Sequence, residues 1–181
     1  MTAEPMTETP DAAARYERVR LGTAAWITAA DAKANTLLTL CGTLLALAAL
    51  AFAVASPRPS ATARVGLVLF AVFDVVSAIA ALTALWPRTD RAGILRDAGQ
   101  EKPIEHSLTF FADLARLDFE KFTRWLGAAG DTAVAADMRE QAFVLCRIAH
   151  VKMRASRVGV VFMTGALLAL AFAVVWAAAE G

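Results

Sequence analysis

Residues 158–179, VGVVFMTGALLALAFAVVWAAA, decide the fold, because these 22 consecutive residues contain no charge. At about 1.5 Å per residue, a helix of this length measures about 33 Å, close to the ~30 Å hydrocarbon core of a bilayer. The run therefore predicts a transmembrane helix.

Two further runs of the same length lie upstream, at residues 34–55 and 65–86. The first contains one amide, Asn35, and the second is interrupted only by Asp74. Three buried core helices are the alternative, but 181 residues leave too little chain to cover them. Hydrophobic residues make up 58% of the chain, above the usual share in soluble domains. We predict an all-α protein with three transmembrane helices.

The distribution of Lys and Arg predicts the orientation. Residues 1–33 hold four of them, residues 56–64 hold two, and residues 87–157 hold twelve. Basic residues concentrate on the cytoplasmic side of a membrane. We therefore expect a multi-pass protein of the cell inner membrane, with the N-terminus and residues 87–157 in the cytoplasm.

Helical patterns also fill most of the chain outside the three runs. We expect residues 1–10 to be disordered and residues 11–33 to form a helix that continues into the first span. Its predicted apolar seam has 3,4 spacing and consists of Tyr16, Val19, Thr23, Trp26 and Ala30. This helix should join a small cytoplasmic helical bundle that is continuous with the spans.

The region 87–157 should contribute the rest of that bundle. Residues 88–103 read as a loop with at most a short turn, and a helix is predicted from Ser107 to Leu126. Asp131 is a suitable N-cap for the next helix. No proline follows it, so residues 131–179 can form one helix of 49 residues, about 74 Å long.

Three polar residues mark the entrance to the first span: Asp31, Lys33 and Asn35. One interpretation is that each contacts another cytoplasmic helix and couples the cytoplasmic bundle to the span. The alternative is that they are solvated interfacial residues, with Lys33 reaching the lipid headgroups.

Candidate ligand contacts occur in two other places. His106, Phe110 and Phe111 open the predicted middle helix, where aromatic rings could stack on a base and a helix N-terminus could receive a phosphate. Lys152 and Arg154 belong to a basic run before the third span, where a phosphate contact is one possibility. Plain core packing and positive-inside anchoring are the respective alternatives.

Asp74 lies near the middle of the second span, where an ionised carboxylate is costly. It should face the bundle interior, be protonated or line water, and Thr39, Thr43 and Thr164 are candidate hydrogen-bond partners. A proton-coupled transporter would rest on this residue alone. In the third span, small residues repeat every four positions and permit close helix packing: Gly165, Ala169, Ala173 and Ala177.

Several classes of function find no support in the sequence. The net charge of +1 gives no general reason to expect binding of a nucleic acid polymer. The two cysteines, Cys41 and Cys146, have no metal-ligand spacing. No nucleophile with a nearby base and no glycine-rich phosphate loop is present, so we expect neither an enzyme nor a cofactor.

Three motifs resemble the membrane-spanning effector family of Pycsar antiphage defence. They are the Asp31-x-Lys33-Ala34 step into the first span, the paired Phe110-Phe111 after the second span, and Val151-Lys152 before the last. The resemblance covers about residues 12–175. It implies an effector that senses cyclic UMP or cyclic CMP and impairs the inner membrane, so that growth stops or the cell dies.

The expected function is therefore an antiviral defence effector that binds a cyclic pyrimidine nucleotide through its cytoplasmic helices. Membrane lipid is an expected partner, and we expect a homo-oligomer. The alternative is a constitutive membrane scaffold or subunit that binds a protein partner and no nucleotide. The sequence leaves open which pyrimidine is sensed and whether the lesion is a pore or a general disruption.

Overall fold

The computed structural model describes residues 10–55, 60–87, 91–97, 118–128 and 130–179. These residues form five helices in chain order and no strand. The helices are α1 Pro10–Ala55, α2 Ala61–Leu85, α3 Arg91–Asp97, α4 Phe119–Ala128 and α5 Asp131–Ala179. Three of them (α1, α2 and α5) are long and apolar enough to cross a membrane. The predicted all-α fold with three spans is confirmed.

The chain divides into two compact units. The membrane unit consists of Thr28–Trp86 and Val151–Gly181, and the head unit consists of Met1–Ile27 and Pro87–His150. Helices α1 and α5 contribute residues to both units, as the predicted continuity of the cytoplasmic helices with the spans requires.

The ends of the long helices follow from local capping. Ser60 caps α2, because its hydroxyl accepts a hydrogen bond from the amide of Ala63 at 3.2 Å. The same helix ends before Pro87, which cannot continue it. Helix α5 contains the predicted 49 residues. Asp131 is its first helical residue rather than its N-cap, since the Gly130 carbonyl accepts the first helical bond from Val134.

Two sequence predictions for the region 87–157 need correction. Instead of a loop with a short turn, residues 91–97 form the seven-residue helix α3, because Leu95 finds an apolar site and is only 3% exposed. A single helix over 107–126 is also wrong. Asp118 lies outside any helix and caps α4 by accepting a hydrogen bond from the Lys121 amide at 2.8 Å. Ser107 lies outside the described residues.

The predicted apolar seam of α1 is correct at Thr23 and Ala30, which are buried, and wrong at Val19 and Trp26. Val19 and Trp26 are 47% and 61% exposed, whereas Thr23 is buried and Ile27 packs against the head-unit core. Ile27 lies four residues after Thr23, so it shares that buried face, whereas Trp26 lies to one side. Sequence periodicity alone could not choose between two adjacent apolar residues.

In the membrane unit, α1, α2 and α5 pack through small side chains. A Cβ added to Gly66 would lie 2.9 Å from the Cβ of Ala173, and one added to Gly159 would lie 3.0 Å from Leu37. Gly165 similarly faces the ring of Phe73. The predicted small-residue stripe is therefore only partly an interface: Gly165 and Ala173 pack inside the protomer, but Ala177 is exposed.

The outer surface of the membrane unit is apolar. Along α5, one exposed face repeats every seven residues and consists of Val161, Leu168 and Val175, which are 67%, 67% and 68% exposed. Such a contiguous exposed apolar surface is unusual for a soluble protein and suits contact with lipid acyl chains.

Candidate functional site

An interhelical ion pair joins two residues that the sequence singled out separately. The Nζ atom of Lys152 on α5 donates a hydrogen bond to the Oδ1 atom of Asp31 on α1 at 2.5 Å. The Lys152 side chain is only 7% exposed and that of Asp31 is 35% exposed. A buried ammonium is costly without a partner, so this ion pair fixes the two helices in one register.

The neighbouring candidates behave differently. The side chains of Lys33, Asn35 and Arg154 are exposed in the protomer. Within the described part of the chain, Lys33 forms no hydrogen bond or ion pair, so the interfacial interpretation fits it better than a coupling contact does. Of the three entrance residues, only Asp31 reaches a partner side chain on another helix.

Beyond the ion pair, buried polar side chains continue along α5 and α2, beside an apolar cluster that includes Leu37, Ala81 and Met163. We define the polar track as Lys152, Ser156, Ser77 and Asp74, which are all less than 9% exposed. The Ser77 hydroxyl donates a 2.9 Å hydrogen bond to the Gly159 carbonyl, three residues after Ser156. The Cys41 thiol contacts the backbone carbonyl of Asp74 at 3.7 Å.

The predicted hydrogen-bond partners of Asp74 are wrong. The hydroxyls of Thr39, Thr43 and Thr164 donate to carbonyls four residues earlier in their own helices, at 3.0, 2.8 and 3.0 Å. A threonine in an apolar helix satisfies its hydroxyl in this local way without leaving its helix. The Oδ1 atom of Asp74 is buried and has no hydrogen-bond partner among the described residues.

The polar track ends at an apolar seal, which we define as the cluster of Ala48, Phe70 and Ala166 with the side chains packed on it. Phe70 is 2% exposed, and Ala166 is fully buried. The partly buried members are Leu44, Phe73, Ala169 and Leu170. On one side of Asp74 the membrane unit thus buries polar side chains beside an apolar cluster, and on the other side its described interior is apolar.

The head unit has a small apolar core around Leu95, Val144 and Ile148. Helix α5 also turns three polar side chains inward there: Asp137, Glu140 and Gln141 are 1%, 6% and 7% exposed. Sequence reasoning missed these residues. Their spacing places them on the buried face that also carries Val144, a signal that a search for apolar periodicity overlooks.

Two further polar contacts belong to the head unit. The Thr23 hydroxyl and the Cys146 thiol lie 3.4 Å apart, which links α1 to α5. On the surface of α1, Arg20 donates two hydrogen bonds to Glu17 and lowers the pKa of that carboxyl. The remaining predicted ligand contacts, His106, Phe110 and Phe111, lie outside the described residues.

The described residues contain no group of three or more metal-ligating side chains. Together, the three long apolar helices, the lipid-suited surface and the buried charges define a helical membrane protein with polar groups inside its spanning bundle. A family model described as the Pycsar effector protein domain matches residues 15–179. The chain therefore belongs to the Pycsar effector family.

This membership confirms the resemblance seen in the sequence and makes the protein a membrane-associated effector of antiphage defence. The family implies a cyclic nucleotide as activator. No curated protein and no solved structure matches the chain.

Proposed function

We propose that this effector senses cyclic UMP or cyclic CMP through its head unit and then impairs the inner membrane. The observation that carries this proposal is the ion pair between Asp31 and Lys152. It joins α1 and α5, the two helices that contribute to both units, at the point where each enters the membrane unit. A ligand that favours one arrangement of these helices in the head unit would change the strain on this contact.

The buried polar side chains of α5 are the head-unit residues that we propose to test as ligand contacts. A pyrimidine base presents N–H donors and carbonyl acceptors along one edge, and Gln141 can both donate and accept. We also keep His106, Phe110 and Phe111 as proposed stacking or phosphate contacts, and Arg154 as a proposed phosphate contact. Gln141→Met keeps the side-chain length, so it should weaken nucleotide binding while leaving the helix intact.

The experiment is a measurement of membrane potential in cells that express the chain together with a cyclase for one nucleotide. We expect depolarisation with cyclic UMP or cyclic CMP, and none with cyclic AMP or cyclic GMP. An unchanged potential with both pyrimidine nucleotides, at confirmed membrane levels of the protein, would favour the scaffold alternative.

We propose that residues 1–33 and 87–157 are cytoplasmic, on the strength of their Lys and Arg content. A reporter fused after Gly181 should then be active only in a periplasmic assay. Cys146 should be protected from a membrane-impermeant thiol reagent in intact cells. A cytoplasmic signal from the C-terminal reporter would contradict this orientation.

We also propose that copies of the chain associate through α1. One exposed face of this helix in the membrane unit carries only small or polar residues at 4,3 spacing: Asn35, Thr39, Gly42, Ala46 and Ala49. Small residues permit close helix approach in lipid, and an amide can pair with its own copy. A Cβ at Gly42 would meet nothing within 4 Å inside the protomer.

Gly42→Leu is therefore a clean test of self-association. It should abolish energy transfer between labelled copies in membranes without changing the fold of the protomer. Val68→Leu is the matched control, since Val68 is 62% exposed on α2. Equal energy transfer in Gly42→Leu and in the wild type would exclude this face.

A further inference from the structure

The polar track runs from one end of the membrane unit to about its middle. Along α5, Ser156 follows Lys152 by one turn, and Gly159 follows Ser156 by three residues. The hydrogen bond from Ser77 to the Gly159 carbonyl crosses to α2, and Asp74 lies one turn further along that helix. At 1.5 Å per residue the track spans about 15 Å, or half of a ~30 Å hydrocarbon core.

Two oxygens on this track have unused hydrogen-bonding capacity. The Oδ1 atom of Asp74 and the Oγ atom of Ser156 are buried with no hydrogen-bond partner among the described residues. Their residues are each only 3% exposed. A buried polar group without a partner destabilises a fold, so packing alone gives no reason for a carboxyl and a hydroxyl at these positions.

The apolar seal closes the other half of the bundle. Phe70 precedes Asp74 by four residues on the same buried face of α2, so it lies one turn further from the ion pair. The ring of Phe73 lies 5.9 Å from that of Phe162, and Ala173 closes against Gly66 beyond them. Hydrophobic constrictions of this kind block ions by excluding water until they widen.

We propose that the membrane unit contains a proton path, in which Asp74 is the proton-binding group and the apolar seal is the gate. This proposal rests on the proposed function, because the effector would depolarise the membrane by widening the seal. One proton binds an Asp74 carboxylate oxygen from the seal side. The O–H bond then breaks, and the proton passes to water that the Asp74 carboxylate and the Ser156 hydroxyl would bind. Each water oxygen releases one proton as it accepts another, until a proton leaves at the surface beside Asp31 and Lys152. Asp74 is again a carboxylate, and no electron is transferred.

The chemistry favours protons over larger cations. The track offers one carboxyl and two hydroxyls between three closely packed helices, whereas a hydrated cation needs several oxygen ligands around it. The Lys152 ammonium at the end of the track repels every cation, and its ion pair with the Asp31 carboxylate offsets that charge.

The test uses purified full-length protein in liposomes that contain a pH-sensitive dye, with a potassium diffusion potential as driving force. Phe70→Ala removes the largest side chain of the seal. We expect it to raise proton flux about tenfold or more without any nucleotide, because a widened seal admits water. Phe70→Ala combined with Asp74→Asn should return the flux to that of protein-free liposomes. Leu69→Ala is the matched control, since Leu69 is 44% exposed beside Phe70.

Each outcome supports or contradicts the proton path. If Phe70→Ala does not reconstitute as a helical protein, Phe73→Ala opens the same seal and replaces it. Proton flux that persists in the Asp74→Asn double variant would overturn the path, as would release of trapped calcein. Absence of flux in both seal variants would do so as well. A wild type that stays silent with cyclic UMP and cyclic CMP, beside an Asp74-dependent flux in Phe70→Ala, would refute the proposed trigger and support the path.

Discussion

The two halves of the membrane unit bury different kinds of side chain, although both come from largely apolar stretches of sequence. One half contains the ion pair, Ser156, Ser77 and Asp74 in its interior. The other half has no buried polar side chain among the described residues, and it contains the apolar seal and the close contact between Gly66 and Ala173. A few polar residues, spaced three or four apart along α5 and α2, therefore distinguish the first half from the second.

This difference shows where stability and function lie. In lipid, helices associate through close packing rather than through the hydrophobic effect, and interhelical hydrogen bonds contribute modestly. Both halves supply that packing, the polar half through Gly159 against Leu37 and the apolar half through Gly66 against Ala173. The polar half contains buried groups that oppose folding unless they are paired, and its register depends on one ion pair.

Loss of the ion pair should produce the largest change in unfolding free energy. Asp31→Asn leaves the ammonium of Lys152 buried without a counter-charge. Because Asp31 is 35% exposed, water reduces the penalty, and we expect a loss of about 2–3 kcal/mol of unfolding free energy. Unfolding in detergent micelles measures it. Arg154→Gln, at an exposed position two residues away from Lys152, is the control and should change little.

A double replacement of the same pair separates stability from signalling. Asp31→Leu with Lys152→Met removes both charges and keeps similar volumes, so stability should return to near that of the wild type. Nucleotide-triggered depolarisation should remain lost if the pair is a coupling contact. Recovery of both properties would mean that the ion pair is only structural.

Gly66→Ala should weaken the apolar half. The new Cβ would lie 2.9 Å from the Cβ of Ala173 and 3.2 Å from its backbone, and a backbone cannot move aside locally. We expect a loss of about 1–2 kcal/mol, the usual cost of overpacking. Gly42→Ala, where the Cβ meets nothing within 4 Å, is the control in α1. Equal stability of the two variants in detergent would contradict the assignment of close packing to this half.

Ser77→Ala should have a smaller effect on stability. It removes the 2.9 Å hydrogen bond to the Gly159 carbonyl and leaves the small side chain that the helix contact needs. Interhelical hydrogen bonds in membrane proteins contribute about 0.6 kcal/mol on average. A loss of more than about 2 kcal/mol would show that this hydrogen bond, rather than the ion pair, mainly holds the polar half together. The same detergent unfolding assay measures it.

The sequence predicted the three long helices and their spans because apolar length and the absence of proline are local properties. It also singled out Asp31 and Lys152, but as separate candidates, since 121 residues separate them and only helix packing brings them together. The partners of Asp74 were wrong for a related reason. A threonine satisfies its hydroxyl within its own helix, and the sequence does not show which residues face the carboxyl.

The smallest expected effect concerns Lys33, which lies two residues from Asp31 but on an exposed face of α1. In the protomer its ammonium has no ion pair with any described residue, so Lys33→Ala should leave unfolding free energy within about 0.5 kcal/mol of the wild type. Its long side chain can reach lipid headgroups from this position, and any effect should therefore depend on anionic lipid.

A comparison of Asp31 and Lys33 variants shows which of the two charges the polar half requires. Asp31→Ala should abolish or lock nucleotide-triggered depolarisation, whereas Lys33→Ala should respond like the wild type and Lys33→Arg should be indistinguishable from it. A Lys33→Ala protein that is stable but fails to depolarise would require a partner for Lys33 outside the protomer. Because Asn35, two residues after Lys33, belongs to the α1 face of the proposed self-association, a second copy is a candidate for that partner. Loss of the response in Lys33→Ala but not in Gly42→Leu would exclude that second copy and leave lipid as the contact.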